Sequence, residues 1–114
     1  MKMTDEEMQA VMGLIVNAGN AKSDAMEAIQ AAKKEEFKIA HEKLASADKA
    51  LMEAHHAQTS LLTAEAQGEE MNLSLLTVHS QDHLMTSITF NDMAKEMVEM
   101  YEKMAQLEKE IADK

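Results

Sequence analysis

The chain has 114 residues with 12 Met, three Gly and no Cys, Pro or Trp, which suits one domain with a modest core and excludes disulfides, cysteine zinc sites and thiol nucleophiles. Lys and Arg total 11, all lysine, against 21 Asp and Glu, a formal net charge of −10; such a surface repels nucleic acid and anionic lipid and favours partners with basic faces. Aromatic residues at 3% leave no base-stacking platform, and 46% hydrophobic content argues against disorder. No apolar run approaches a membrane span, so no membrane insertion is expected, and Met1–Glu7 is too acidic for a signal peptide. The expectation is a cytoplasmic domain.

Ala, Met, Glu, Lys, Gln and Leu dominate, and no stretch alternates apolar and polar residues long enough to make a strand. Three helices are expected, at about 4–32, 36–66 and 72–112. The first starts at Thr4, with Glu7 three residues on in the capping-box pattern. Met8, Val11, Ile15, Ala18, Ala25 and Ile29 give it one apolar face, interrupted locally by Gly13 and Gly19. Lys33-Lys34-Glu35-Glu36 forms the first turn, without a glycine.

The second helix carries Phe37, Ala40, Leu44, Ala47, Leu51, Ala54, Gln58 and Leu61 at alternating spacings of three and four, and ends at Gln67-Gly68. In the third, Phe90, Met93, Met97, Met100, Met104, Leu107 and Ile111 keep the coiled-coil spacing, and the register continues backwards through Thr86, His83, His79 and Leu76. This stripe is expected to be packed, with its methionines as flexible core filler. Beside it runs a stripe of Leu75, Val78, Asp82 and Met85. The architecture expected is an all-α, antiparallel up-down-up three-helix bundle. Rods of ~30 residues are ~45 Å long. Their several partly apolar faces point to a homo-oligomer.

The polar interruptions carry the functional signal. His79 and His83, four apart, project from one helical face. Three readings compete for them: hydrogen bonds at a helix contact, a zinc-type metal pair needing a third ligand from elsewhere, or nucleophilic catalysis by an imidazole that holds a phosphoryl group. Spacing alone does not choose among them, and a plain helical oligomerisation module using neither histidine is a further alternative. Asp82 either faces solvent or, if its stripe lines a symmetry axis, converges with its copies and requires protonation, water or a shared divalent cation. His41 falls off the apolar stripe. His55 and His56 are adjacent and cannot chelate one ion from one face. Gln58 on its stripe reads as an interhelical hydrogen bond.

The run His79-Ser80-Gln81-Asp82-His83-Leu84-Met85-Thr86 resembles the signature of the lactose/cellobiose (N,N'-diacetylchitobiose) class of phosphotransferase-system enzyme IIA proteins. Asn17-Ala18-Gly19-Asn20-Ala21-Lys22-Ser23 and Glu53-Ala54-His55-His56-Ala57-Gln58-Thr59 are similar to the same family, and the likeness spans about Thr4 to Lys109. One departure is the first turn, where the family often has Gly before Asp-Phe and this chain has Glu35-Glu36-Phe37. The resemblance implies a phosphotransferase component that accepts a phosphoryl group on His79 from phosphohistidine of HPr and passes it to a cysteine of enzyme IIB, serving import of a disaccharide of the lactose/cellobiose/chitobiose class. It also implies a homotrimer (a nine-helix bundle), with Asp82 at its axis sharing a divalent cation, Mg being the expected one. Gln81, His83 and Gln58 are the candidates to orient the imidazole or bond phosphoryl oxygens. No nucleotide is expected, since phosphohistidine is itself the donor.

Overall fold

A computed structural model describes residues 3–70 and 73–114. It holds three helices and, among the described residues, no strand: α1 (Asp5–Lys33), α2 (Phe37–Ala66) and α3 (Leu75–Ala112). They form an up-down-up bundle of 68 × 20 × 19 Å. The expected start of the third helix at 72 lies outside the described residues; the described helix begins at Leu75.

The helix starts follow local chemistry. Thr4 Oγ1 accepts the Glu7 N–H at 3.1 Å, and Asp5, Glu6 and Glu7 place negative charge at the positive end of the α1 dipole. Ser74 Oγ accepts the Thr77 N–H at 3.2 Å at the start of α3.

Two helix ends share one geometry. After α2, the Gly68 N–H donates to the Glu65 carbonyl at 3.0 Å and the Glu69 N–H to the Ala64 carbonyl at 3.1 Å. After α1, Glu35 donates to Ala32 at 3.0 Å and Glu36 to Ala31 at 2.9 Å. Both are Schellman closures, which need a left-handed residue just past the cap. Gly68 supplies it at φ 91, and Glu35 at φ 61. Glu35 therefore occupies the position where a glycine is cheapest, which is the departure visible in the sequence.

The interior is built mostly from small side chains. α1 buries Val11, Leu14 and Ile29 together with Ala18, Ala21, Ala25, Ala28, Ala31 and Ala32; α2 buries Ala40, Leu44, Ala47, Ala54 and Leu61. Larger residues gather in two clusters. One holds Val11, Leu14, Ala54, Leu61 and Leu84, and the other centres on Ile29, Leu44 and Val98 with Phe37, Phe90 and Tyr101 against it. Between them in chain position lie Ala18, Ala21 and Ala47 and the buried polar Ser87 and Asn91. Asn91 Nδ2 donates to Asp48 Oδ1 at 2.8 Å, and Lys95 Nζ meets the same oxygen at 2.9 Å, tying α3 to α2. Lys43 to Glu27 at 2.9 Å and Ser46 to Asp24 at 2.6 Å tie α2 to α1.

The face that α3 turns inward corrects the expectation. It is Thr77, Ser80, Leu84, Ser87, Asn91, Ala94 and Val98, not the methionine stripe. Met93 is 57% exposed, Met100 63% and Ile111 73%, and Met97, Met104 and Leu107 are exposed beside them. These methionines are not core filler within the chain. α1 and α2 present alanines, so α3 approaches closely only with small residues at the contact, and its long side chains are turned out. The chain consequently exposes 7759 Å², against roughly 6200 Å² for a compact monomer of this size.

Replacing Glu35 by Gly is expected to raise unfolding free energy by about 0.5–1 kcal/mol, the left-handed strain relieved exceeding the entropy that Gly adds to the unfolded chain. Gly68→Ala is expected to lower it by about 1 kcal/mol. Urea unfolding of both variants beside the parent, at one protein concentration, checks the pair.

Candidate functional site

The third helix carries the candidate residues, and its two flanks separate them. His79 and His83 are one turn apart on the flank that faces α1. Their rings stack with centroids 5.6 Å apart and planes at 17°, within the range of favourable offset aromatic pairs. His79 is exposed, and His83 is half-buried. Gly19 of α1 lies against the His83 ring: a Cβ there would come to 3.4 Å from His83 Nε2. The arrangement is an outward imidazole backed by a second imidazole, which is itself seated on a helix backbone. It leaves the His79 ring exposed to approach, with one face against its neighbour.

The segment's backbone is reinforced from below. Thr86 Oγ1 lies 2.9 Å from the Asp82 carbonyl and 3.3 Å from that of His83, and donates into this pair. Ser80 Oγ donates to the Thr77 carbonyl at 2.7 Å. Asp82 is an exposed carboxylate on the outer face, beside exposed Val78 and Met85. An open groove of about 510 Å³ continues from Thr86 past Met85, Phe90 and Met93, with Lys22 of α1 on its wall.

Gln58 and Gln81 meet each other. Gln58 Nε2 donates to Gln81 Oε1 at 2.7 Å across the α2–α3 contact. Gln81 is two positions from His79, about 200° around the helix, so the amide pair occupies the opposite flank from the imidazoles. Within one chain the fold thus brings together His79 and His83, and separately Gln58 and Gln81. The remaining histidines are elsewhere: His41 pairs with Glu102 at 3.1 Å, and His55 and His56 are exposed on α2. Among the described residues no three His, Asp or Glu side chains gather where they could hold a metal ion. Asp82 therefore has no such companions among the described residues.

Two features escaped the reading of the sequence. The Gly19–His83 contact was signalled only by a glycine inside a helix, and the Asn91–Asp48–Lys95 cluster by nothing, since Asn and Asp are ordinary on helix surfaces.

Comparison with known proteins converges on one family. The description "PTS system, Lactose/Cellobiose specific IIA subunit" matches residues 9–102. The chain belongs to this family. It is 46% identical over 104 residues to the lichenan-specific phosphotransferase enzyme IIA component of Bacillus subtilis, covering 91% of this chain and 94% of the relative. The crystal structure of the cellobiose-specific enzyme IIA from Bacillus anthracis superposes with a TM-score of 0.87 at 45% identity, over 92% of this chain and 95% of that one. The IIA(Chitobiose)–HPr complex of the Escherichia coli phosphotransferase system matches with a TM-score of 0.77 at 39% identity, over 90% of this chain and 99% of the other. The protein is thus a sugar-specific IIA component of the phosphotransferase system, with a transferase role. Among the described residues no helix of this IIA component is long and apolar enough to cross a membrane.

In a double-mutant cycle, Gln58→Ala and Gln81→Ala are expected to couple by about 0.5–1.5 kcal/mol, the net worth of one part-buried hydrogen bond. Urea unfolding of the four species measures it; additivity within error contradicts the bond.

Proposed function

We propose that this IIA component carries a phosphoryl group on His79, taking it from phosphohistidine of HPr and passing it to a cysteine of enzyme IIB. The observation that carries this reading is the exposed His79 imidazole held against His83 at 5.6 Å. A lone pair on neutral His79 attacks phosphorus as the P–N bond to the HPr imidazole breaks, its electrons returning to that ring. A cysteine thiolate of enzyme IIB then attacks phosphorus, an S–P bond forms, and His79 leaves as neutral imidazole. Neither step changes oxidation state, and no nucleotide is consumed. Little machinery is needed beyond aligned nucleophiles, because positioning supplies most of the catalysis of such transfers.

HPr as donor is supported by the solved complex of the chitobiose relative with HPr. The names of the relatives, lichenan, cellobiose and chitobiose, support an imported oligosaccharide of the disaccharide class. His83 orients the His79 ring. Gln58 and Gln81, paired on the far flank, reach a phosphoryl group only if it is carried by another subunit.

The working form is a homotrimer in which the outer stripe of α3, from Leu75 through Met93 and Met100 to Ile111, packs against its copies. The large exposed apolar area and its heptad spacing support that assembly. On this arrangement the Asp82 carboxylates face one another, and a shared divalent cation, such as Mg, relieves their repulsion. The cation serves the assembly and takes no part in the transfer.

Intact-mass measurement after incubation with phosphoenolpyruvate, enzyme I and HPr tests the carrier role. One acid-labile phosphoryl group is expected on the parent and none on His79→Ala, with helicity unchanged; phosphorylation of the variant refutes the assignment. For the assembly, sedimentation is expected to show Met97→Glu/Met100→Glu as a monomer. Asp82→Leu is expected to keep the oligomer and to lose any stabilisation by Mg.

A further inference from the structure

Helix α1 contains two interior glycines, Gly13 and Gly19, and each costs the helix stability relative to alanine. Their surroundings differ. A Cβ at Gly13 meets nothing within 4 Å, whereas a Cβ at Gly19 meets His83 Nε2 at 3.4 Å and nothing else in that range. Ala18 and Ala21 on either side of Gly19 are fully buried, so this turn of α1 is seated tightly in the bundle and cannot back away. The edge of the His83 ring lies over it, and the face of the same ring stacks on His79.

A ring nitrogen needs a hydrogen-bond partner at about 2.7–3.2 Å. A methyl group at 3.4 Å would be an ordinary van der Waals contact, but it would crowd that nitrogen and narrow the approach of such a partner. We propose that Gly19 is a positioning residue for the transfer site: its missing side chain keeps His83 Nε2 free to hydrogen-bond, and the His83 ring so held fixes the imidazole of His79. Gly19 touches neither phosphorus nor nucleophile; it acts through His83. The inference rests on the reading of His79 as the phosphoryl acceptor, and it explains why the helix keeps a poor helix former at this position.

The test compares the parent, Gly13→Ala and Gly19→Ala as full-length proteins. Both substitutions are expected to raise the thermal midpoint by about 2–4 °C through helix propensity. Gly13→Ala is expected to accept phosphoryl groups from phospho-HPr at the parent rate. Gly19→Ala is expected to lose between about tenfold and a hundredfold in kcat, with KM for phospho-HPr unchanged. The ring-proton resonances of His83 and His79 are expected to shift in Gly19→Ala and not in Gly13→Ala. Parent-like kinetics and ring resonances in Gly19→Ala overturn the proposal. So does failure of Gly19→Ala to fold, because a methyl group that meets only Nε2 does not unseat a helix. A parent protein that accepts no phosphoryl group refutes the carrier reading instead, and the ring resonances then decide the Gly19–His83 contact alone.

Discussion

The structure depends on close approach of helices whose facing surfaces are made of alanine, serine and glycine. Nine of the buried side chains of α1 and α2 are Ala, and α3 answers them with Thr77, Ser80, Ser87, Asn91 and Ala94 around Leu84 and Val98. Small side chains let backbones come near and keep packing dense without large residues between them. The cost is that little apolar surface is buried per residue. The two clusters around Leu14–Leu84 and Ile29–Val98 supply most of the large-residue burial.

The same constraint shapes the site. Where α1 and α3 are close, a glycine in one helix becomes a seat for a ring on the other, and two imidazoles one turn apart stack rather than scatter. His79 is then an exposed imidazole on a helix, not on a loop, which suits the proposed carrier role between two proteins. Turning the small face inward also turns the long face outward. Leu75, Met93, Met97, Met100, Met104 and Ile111 form an exposed stripe longer than a lone soluble bundle would keep. The acidic net charge suits partners with basic surfaces, and in the proposed assembly the stripe meets copies of the chain.

Much of this was legible in the residues. The Thr4 cap, the glycine closure at Gly68 and the α2 stripe from Phe37 to Leu61 appear as read, with Leu51 and Gln58 at its half-buried edges. The turn at Lys34–Glu36 was harder, because Glu35 holds a left-handed conformation that its side chain does not advertise. The inward face of α3 was misread. Periodicity weighs hydropathy, and the methionine stripe is more hydropathic than the Thr, Ser and Asn stripe that is in fact buried. What decided burial was volume against an alanine surface, a property of two helices together. At the site, spacing put His79 and His83 on one face, and resemblance singled out His79. Gln81 was grouped with His83 beside His79, yet its offset of two puts it on the opposite flank within the chain; the interhelical hydrogen bond expected of Gln58 is present, with Gln81 as the partner that spacing did not name.

By itself the sequence determined an all-α chain of three long helices, the Thr4 cap, the Gly68 closure and the four-residue spacing of the imidazoles, because those follow from local propensity and helical geometry. Its signature run pointed to the family that the comparisons bear out. Only the tertiary structure decided which face of α3 is inside, that Gly19 lies under His83, and that Asn91 finds Asp48. Those are properties of contact between segments far apart in the chain, set by which side chains are small enough to let two backbones meet.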